Sequence, residues 1–397
     1  MASYLRRRSQ TRVLINALST APGGSLTYLL GILEGFRSIG FGENVSVVAS
    51  YPETVNVLRE RGWNPICTDV RGALSRAVWE TCMLNQLVSR EGASLLYSSN
   101  FATLGVSYPQ VVLHQSAHTV APYSVNTDPE RYVRFAVQKT AARISLHLAN
   151  ASLFVSEYLR NCAEKIAPRA AARFSVVPYG LGELFRNVAL DQKKPRPLTY
   201  RLAAVQTPSY HKDNETLLQS FKILVERYPD RPWTLDIAGW LGWSRWQARA
   251  QQLGIADRVQ WHGFLDERGI INLLSNSDAL VFTSLLESFG LPIIEAMACG
   301  CPVIAVRSTA IPEISAGAAL FVPERSPDRV AKAVHLLTEN QNLRWELIRA
   351  GRKRALDFSW TNAAKRHVDT FERVLATWAC DNQSSRVTMG TTWMRTR

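Results

Sequence analysis

The stretch from 284 to 305 reads SLLESFGLPIIEAMACGCPVIA, and it follows an apolar run that ends near Thr283. Pro292 suits the first turn of a helix, where its missing N–H is not needed, and Gly300 suits the cap that closes the helix. Pro302 then starts another strand. A strand, a helix and a strand in this order predict one unit of a parallel α/β sheet.

The start of this helix should lie at the carboxyl edge of the sheet, with its first amides unpaired. Such a helix N-terminus binds phosphate, and Gly290 lets a ligand approach the backbone closely. Glu287 and Glu295 bracket the turn, and each carboxylate can accept two hydroxyl hydrogen bonds from a sugar or ribose diol. By spacing alone, an equally good interpretation is that Glu295 complements the helix dipole and Glu287 is a solvated loop acid.

The alternation of strands and helices continues on both sides of this unit. In the first half we predict helices such as Ser25–Ser38 and Val78–Glu91, and strands at Arg12–Asn16, Val45–Ala49, Leu95–Tyr97, Val111–His114 and Leu153–Val155. In the second half we predict strands at Leu202–Val205, Thr234–Ala238, Val259–His262, Leu280–Thr283 and Val303–Val306. The pattern predicts an α/β protein with two parallel sheets and a ligand cleft between the halves.

A polar, proline-bearing stretch around 191–197 separates the two halves and has the texture of an interdomain linker. We therefore predict a first domain over 1–188, a linker over 189–198 and a second domain over 199–360. A helix over 361–378 and a disordered tail over 379–397 would follow. A length of 397 residues agrees with two domains of roughly 100–200 residues each.

The composition is that of a globular protein with a basic surface. Hydrophobic residues make up 46% and charged residues 20%, which excludes global disorder. The net charge of +13 should attract anions such as nucleotide diphosphates, lipid headgroups or nucleic acid, although a basic proteome explains it equally well. The chain has no recognisable nucleic-acid motif, so we expect no nucleic-acid partner.

Cysteine usage and apolar runs indicate the compartment. The six cysteines form no CxxC pair or Cys/His cluster, which argues against a zinc site and suits a reducing cytosol. The run Val13-Leu14-Ile15 is too short for a signal peptide, and no run approaches the roughly 20 apolar residues of a spanning helix. We expect a cytoplasmic protein, soluble or peripheral at the inner face of the membrane.

A second candidate element is the segment from Tyr210 to Leu218, which opens a helix capped by Asp213 or Asn214. Lys212 lies close to that helix N-terminus, where a cation is unfavourable. An anion between the two would resolve the conflict, and lysine is a common phosphate ligand. The alternative is a lysine that extends into solvent.

The stretch from 284 to 305 resembles the signature of retaining glycosyltransferases of family 4, within glycosyltransferase group 1. These have the GT-B fold of two Rossmann-like domains facing across a cleft, and their hallmark is two glutamates separated by seven residues. Glu287 and Glu295 match this hallmark, and the surrounding glycine-containing turn and helix are in register. The resemblance implies an acceptor-binding first domain, a nucleotide-sugar-binding second domain and a C-terminal helix that returns to the first.

The resemblance also implies roles for single residues. Glu287 would contact the transferred sugar beside its anomeric carbon, and Glu295 would hold the donor ribose. Lys212 would bind the donor diphosphate, which the family usually also contacts through an arginine five residues earlier; here that position is Thr207. The remaining donor-binding positions implied are Ser288, Phe289, Gly290 and Leu291 at the helix start, Gly23 and Gly24 after the first strand, and Val259 and Gly263 beside the nucleotide base. His114, at a strand end, would lie close to the transferred sugar.

By this resemblance the chain is a hexosyltransferase that moves a hexose-type sugar from a nucleotide-diphosphate sugar to a saccharide or lipid-linked acceptor with retention of configuration. We expect it to act in polysaccharide or glycolipid biosynthesis, to need no metal or other cofactor, and to contact anionic membrane peripherally. The alternatives are another enzyme of the same fold, an epimerase or phosphorylase, and a non-catalytic protein that binds anions or nucleic acid.

Overall fold

The computed structural model describes residues 11–122, 129–191, 197–239 and 242–393, without the side chains of 129–134 and 382–393. It divides into two compact units. The first comprises Met1–Gly180 and Trp360–Arg397, and the second comprises Leu181–Ser359. Each unit is an α/β structure built on its own parallel sheet, which confirms the predicted fold class.

The first unit contains a seven-stranded sheet in the order β3-β2-β1-β4-β5-β6-β7, in which every pair is parallel. Its strands are β1 (Val13–Asn16), β2 (Val45–Ala49), β3 (Ile66–Cys67), β4 (Leu95–Ser99), β5 (Gln110–His114), β6 (Ala151–Phe154) and β7 (Phe174–Val176). Its helices are α1 (Gly24–Ser38), α2 (Pro52–Glu60), α3 (Ala73–Arg90), α4 (Ala117–Val120), α5 (Pro129–Leu148) and α6 (Glu157–Ile166), with short 3₁₀ turns at Gly42–Asn44 and Pro168–Arg173.

The second unit contains a six-stranded parallel sheet in the order β10-β9-β8-β11-β12-β13. Its strands are β8 (Arg201–Val205), β9 (Thr234–Ala238), β10 (Val259–Gly263), β11 (Ala279–Phe282), β12 (Val303–Val306) and β13 (Leu320–Val322). Its helices are α7 (Glu183–Leu190), α8 (Asn214–Arg227), α9 (Ser244–Gln252), α10 (Glu267–Ser275), α11 (Leu291–Ala298), α12 (Ile311–Ser315), α13 (Pro327–Glu339) and α14 (Gln341–Leu356), with 3₁₀ turns at Tyr210–Lys212 and Ala256–Arg258.

The central strands are largely apolar and buried because helices cover both faces of each sheet. Every residue of β1, β5, β6, β11 and β12 is buried. The ten predicted strands all form, with ends within two residues of the prediction. The strands β3, β7 and β13 were not predicted, because each is an edge strand of only two or three residues and carries too little pattern.

The first unit ends at Gly180 and not at the predicted residue 188, because α7 packs onto α11 and α14 of the second unit. Phe185 and Ala189 of α7 are buried there, and the Arg186 guanidinium donates hydrogen bonds to the carbonyls of Leu356 and Phe358. Residues 189 and 190 of the predicted linker are the end of this helix, and residues 192–196 lie outside the described residues.

The last helix, α15 (Trp360–Trp393), packs along α1 of the first unit. The indole ring of Trp360 lies so close to α1 that a Cβ atom added at Gly31 would be 2.1 Å from it. The tail expected to be disordered from 379 onward is helical as far as Trp393; extension of an existing helix adds one backbone hydrogen bond per residue and needs no new nucleation. The described helices include none with a stretch long and apolar enough to cross a bilayer.

Candidate active site

The central element of the site is the loop that follows β11 and leads into α11. Gly290 is the N-cap of α11 in a left-handed conformation (φ 96°), and Pro292 occupies the first turn. The N-cap has no side-chain hydrogen bond to the helix. Pro292 has no N–H and the Ile293 amide donates to the Gly290 carbonyl at 2.9 Å, so the Leu291 amide is the donor of the first turn that can face a ligand. Gly300 follows the helix with φ 68°, so the cap predicted at this position is present.

The loop is held by its apolar side chains. Leu285 and Leu286 are buried, and the Phe289 ring packs edge-on against Phe358 with centroids 5.4 Å apart. The Phe289 ring therefore belongs to the core of the second unit and is not available to a ligand. Ser288 and Leu291 keep part of their surface exposed.

Lys212 and Glu287 form an ion pair, with 2.5 Å between the Lys212 Nζ and Glu287 Oε1 atoms. Both side chains are mostly buried, with exposed fractions of 14% and 11%. Lys212 ends the 3₁₀ turn before α8, and the cap of that helix is Asp213, whose carboxylate accepts a hydrogen bond from the Thr216 amide. The anion that Lys212 was predicted to need is thus supplied, in this structure, by the first of the two predicted glutamates.

Backbone hydrogen bonds join the two segments that carry this pair. The Leu285 amide donates to the His211 carbonyl at 2.8 Å, and the Thr283 hydroxyl donates to the Lys212 carbonyl at 2.9 Å. These hydrogen bonds hold the two segments together, so the position of the ion pair does not depend on the two side chains alone.

Glu295 differs from Glu287 in its surroundings. The residue as a whole is half-buried, and its carboxyl group is the part that protein encloses. Burial, with a smaller contribution from the nearby Glu267 carboxylate, raises the pKa of Glu295 to about 7. The group is thus divided between its neutral and charged forms near neutral pH.

Thr207, which stands where the family usually has an arginine, is engaged within its own turn. Its hydroxyl donates to the Ser209 hydroxyl oxygen at 3.0 Å, and its carbonyl accepts from the Asn214 side chain. The preceding Gln206 is buried and donates to Asn214 Oδ1 at 2.7 Å. These two neutral residues add no positive charge beside Lys212.

The two residues predicted to lie beside the base are at opposite ends of β10. Gly263 ends the strand with φ 66°, its carbonyl accepts from the Gly239 amide, and the space where a Cβ would lie is open. Val259 begins the strand and is buried in the core. Four residue steps of a strand separate them by about 13 Å, so the structure places Gly263 at the carboxyl edge and Val259 away from it.

In the first unit, Gly23 and Gly24 open α1 immediately after the β1 loop. Gly23 is the N-cap with φ 120°, a conformation that favours glycine, and the space around Gly24 is open. This geometry suits a close approach by a ligand to the backbone.

His114 does not face solvent. Its side chain is fully buried, stacks on the Phe154 ring at 5.0 Å between centroids, and has Nε2 3.3 Å from the Ser152 hydroxyl. Burial lowers the pKa of His114 to about 3, so the ring is neutral. The end of β5 thus directs this side chain into the core of the first unit, and its contact with the transferred sugar stays a prediction.

Two groups of polar residues were missed in the sequence. Asp236 of β9 is buried between Arg201 of β8 and His262 of β10, and accepts hydrogen bonds from both. Burial opposes its ionisation, yet the hydrogen bonds from these two residues hold the pKa of Asp236 below its ordinary value. Thr309, after β12, accepts a hydrogen bond from the Glu287 amide at 3.0 Å. The sequence did contain a signal for Thr309, because it follows a predicted strand. The carboxyl ends of adjacent parallel strands lie at one edge of the sheet, where the site is.

Residues 191–354 match the family model of the glycosyl transferases group 1. The O-antigen chain mannosyltransferase B of Escherichia coli is 25% identical over 279 residues, covering 66% of this chain and 71% of that protein. The MMP alpha-(1->4)-mannosyltransferase of Mycolicibacterium hassiacum is 35% identical over 130 residues, covering 32% of this chain and 31% of that protein.

Among solved structures, Anabaena Alr3699/HepE in complex with UDP and glucose has a TM-score of 0.68 at 16% identity. The similarity covers 91% of this chain and 99% of that one. At this identity it establishes the fold alone. The second half of the chain therefore matches the group 1 glycosyl transferases over residues 191–354, and the two Rossmann-like sheets together with the solved structures show that the chain has the GT-B fold.

Proposed function

We propose that the chain transfers a hexose-type sugar, with retention of configuration, from a nucleotide-diphosphate sugar to a saccharide or lipid-linked acceptor. The observation that carries this proposal is the Lys212–Glu287 ion pair, in the loop that leads to the start of α11, where no side chain caps the helix. A cation and a helix N-terminus together suit a diphosphate, and the adjacent carboxylate suits sugar hydroxyls. Relatives named as mannosyltransferases support a hexose as the transferred group.

The donor diphosphate would bind between Lys212 and the amides of Gly290 and Leu291, and would replace Glu287 as the partner of the lysine. Glu287 is then available to accept hydrogen bonds from the sugar beside its anomeric carbon. As the bond from that carbon to the diphosphate oxygen breaks, the bond to the acceptor oxygen forms on the same face. The acceptor proton passes to the leaving phosphate, without a covalent enzyme intermediate. Stabilisation of the leaving diphosphate is the main contribution of the protein.

Glu295 would accept hydrogen bonds from the two hydroxyls of the donor ribose. A carboxylate accepts both hydroxyls, whereas its protonated form donates one hydrogen and accepts less well. Since its pKa is raised to about 7, donor binding should depend on pH in the neutral range.

Metal independence is part of the same proposal, because Lys212 and the amides of α11 supply positive charge where the diphosphate would bind. Transfer should persist at an unchanged rate in excess chelator. Activity that disappears with chelator and returns with manganese would contradict it.

An anionic, membrane-associated acceptor is supported by a groove in the first unit. It is lined by three cations, Lys139 and Arg143 from α5 and Lys165 from α6, beside the apolar side chains of Val120 and Ile166. No acid is among the described residues that line it. Cations above apolar side chains suit a phosphate attached to a hydrocarbon chain. We therefore propose a lipid-linked acceptor in glycolipid or polysaccharide assembly at the inner face of the membrane.

Flotation with vesicles tests the acceptor proposal. The protein should float with phosphatidylglycerol vesicles and not with phosphatidylcholine vesicles, and Arg143→Ala with Lys165→Ala should abolish flotation. The matched control is Lys222→Ala with Lys332→Ala, which removes two exposed lysines of the second unit. Equal binding by both double variants would reject the groove as the binding site.

The donor proposal is tested with a thermal-shift panel of UDP-, GDP- and ADP-sugars, because a bound donor raises the melting temperature. One donor class should stabilise the protein, and Lys212→Ala should remove the shift while Lys222→Ala keeps it. Product analysis with the stabilising donor then separates transfer from epimerisation or phosphorolysis. Salt-dependent binding of nucleic acid with no response to any nucleotide sugar would favour a non-catalytic anion-binding protein instead.

A further inference from the structure

The segment that follows β12 holds the Glu287 loop at two points. The β11 and β12 strands pair in parallel, so the loops after them leave the sheet side by side. The Ser308 hydroxyl donates to the Ser284 carbonyl at 2.9 Å, near the start of the Glu287 loop. The Thr309 hydroxyl oxygen accepts from the Glu287 amide at 3.0 Å. The second contact is made to the backbone of the predicted sugar-binding glutamate itself.

Thr309 makes this contact in an unfavourable backbone conformation. Its φ is 47°, in the left-handed region, which is a genuine outlier for a β-branched residue. Glycine would adopt this conformation without strain but would have no hydroxyl. Asp213, the residue after Lys212, is also in the left-handed region with φ 49°. Positive-φ residues therefore lie beside both members of the Lys212–Glu287 pair, and such outliers concentrate at functional sites.

We propose that Thr309 is a positioning residue that orients Glu287 for sugar transfer through the hydrogen bond from the Glu287 amide. This inference rests on the proposed function, because it assigns Thr309 to the same reaction. Thr309 acts on the glutamate and not on the donor, so its loss should lower kcat and leave the donor KM unchanged. We expect about a tenfold decrease in kcat, which corresponds to about 1.4 kcal/mol of transition-state stabilisation.

Three substitutions separate the hydroxyl from the backbone strain. Thr309→Ser keeps the hydroxyl, Thr309→Val keeps the shape without the hydroxyl, and Thr309→Gly removes both the hydroxyl and the strain. The serine variant should transfer sugar at close to the wild-type rate, and the valine and glycine variants should show the tenfold loss in kcat with donor KM within twofold. The melting temperature of the glycine variant should equal or exceed that of the valine variant. Unfolding would then not explain the lower kcat of the glycine variant.

Arg325→Gly is the matched control, because Arg325 is an exposed residue of the same unit with φ 50°. This substitution relieves the same kind of strain away from the site and should leave kcat unchanged. Full activity of both the valine and glycine variants, in a protein that Glu287→Ala inactivates, would overturn the inference while the proposed function stands.

Hydrogen–deuterium exchange provides a readout that needs no activity. The Glu287 amide should exchange faster in the valine and glycine variants and at the wild-type rate in the serine variant. Unchanged exchange in all three would overturn the inference whether or not transfer is detected. A wild-type protein that makes no glycoside, but shows the expected exchange, would contradict the proposed function and leave the Thr309 contact established.

Discussion

At the scale of single residues, the ion pair between Lys212 and Glu287 is the feature with the most chemical consequence. The carboxylate occupies the lysine in the absence of ligand, with 2.5 Å between the charged atoms. A donor diphosphate would therefore have to displace Glu287 before it could bind Lys212. The ion pair holds Lys212 and Glu287 in place before the donor binds, but Glu287 also competes with the donor diphosphate for Lys212.

Glu287→Gln should consequently separate affinity from turnover. Removal of the competing charge should tighten donor binding about fivefold, since a charge-assisted hydrogen bond contributes about 1 kcal/mol or more. The same change should lower kcat by at least about tenfold, because the glutamate contact with the sugar is weakened. Titration calorimetry and initial rates measure the two effects, and Glu339→Gln, at an exposed ion pair with Arg231, is the control. Weaker donor binding in Glu287→Gln would contradict the competition.

Glu295 gives a pH dependence of defined sign. Its pKa is about 7 in the folded protein and near 4.5 when unfolded, so its contribution to stability is greatest below pH 4.5 and is lost as pH rises to 7. The loss is at most about 3 kcal/mol, at 1.36 kcal/mol per pKa unit. Glu295→Gln should therefore unfold at higher urea concentration than wild type at pH 8.

Donor binding should have the opposite pH dependence, because it needs the ionised carboxylate. The donor Kd of the wild type should rise about tenfold for each pH unit below 7, and that of Glu295→Gln should be weak and flat from pH 5.5 to 8. A wild-type Kd that is constant across this range would reject the ribose role.

At the scale of elements, the docking of α15 on α1 depends on a glycine contact. Trp360 lies where a side chain at position 31 would project, and Tyr28 of α1 hydrogen-bonds His367 of α15 at 2.9 Å inside the core. Tyr97 of β4 completes this buried group. Close packing and hydrogen bonds thereby join the sheet of the first unit to α1 and α15.

Gly31→Ala should destabilise the protein by about 1–3 kcal/mol through overpacking against the indole ring. When Trp360→Ala is added, the cost of the alanine should largely disappear, so the double variant should be more stable than the sum of the single changes predicts by about 1 kcal/mol or more. Urea denaturation measures all four proteins, and Gly24→Ala, where the space is open, is the control within the same helix. Additive single changes would show that the two residues do not interact.

At the scale of the whole molecule, the two units should respond to acid differently. His114 and His367, both fully buried in the first unit, have pKa values lowered to about 3 and about 4. The unfolded chain binds their protons below about pH 6.5, so the first unit loses stability as pH falls from 6.5 towards 4. The second unit, through Glu295, gains stability over the same range.

Acid unfolding should therefore begin in the first unit. Two histidines that bind protons only when unfolded give a slope of up to about 2.7 kcal/mol per pH unit. Hydrogen–deuterium exchange between pH 7 and 5, corrected for intrinsic rates, should show loss of protection in β1, β4 and β5 before β8 and β11. Earlier loss in the second unit would contradict this order.

The sequence by itself determined the α/β class, ten of the thirteen described strands and the helix from Leu291 to Ala298 with its flanking glycines. These follow from local causes: buried strands read as continuous apolar runs, and proline and glycine mark where a helix starts and stops. The position of Glu287 beside the helix N-terminus could also be predicted, because both lie close together in one segment of the sequence. The short edge strands, and the end of the first unit at Gly180, carried no such local signal.

Only the tertiary structure decided which distant residues meet. It brought Lys212 to Glu287, Thr309 to the Glu287 amide and Asp236 between Arg201 and His262, and it enclosed His114 in the core. These contacts depend on strand order and on which way each side chain points, and neither is encoded in a local pattern. The protonation of Glu295 belongs to the same class, because desolvation is set by what the rest of the chain packs around the carboxyl group.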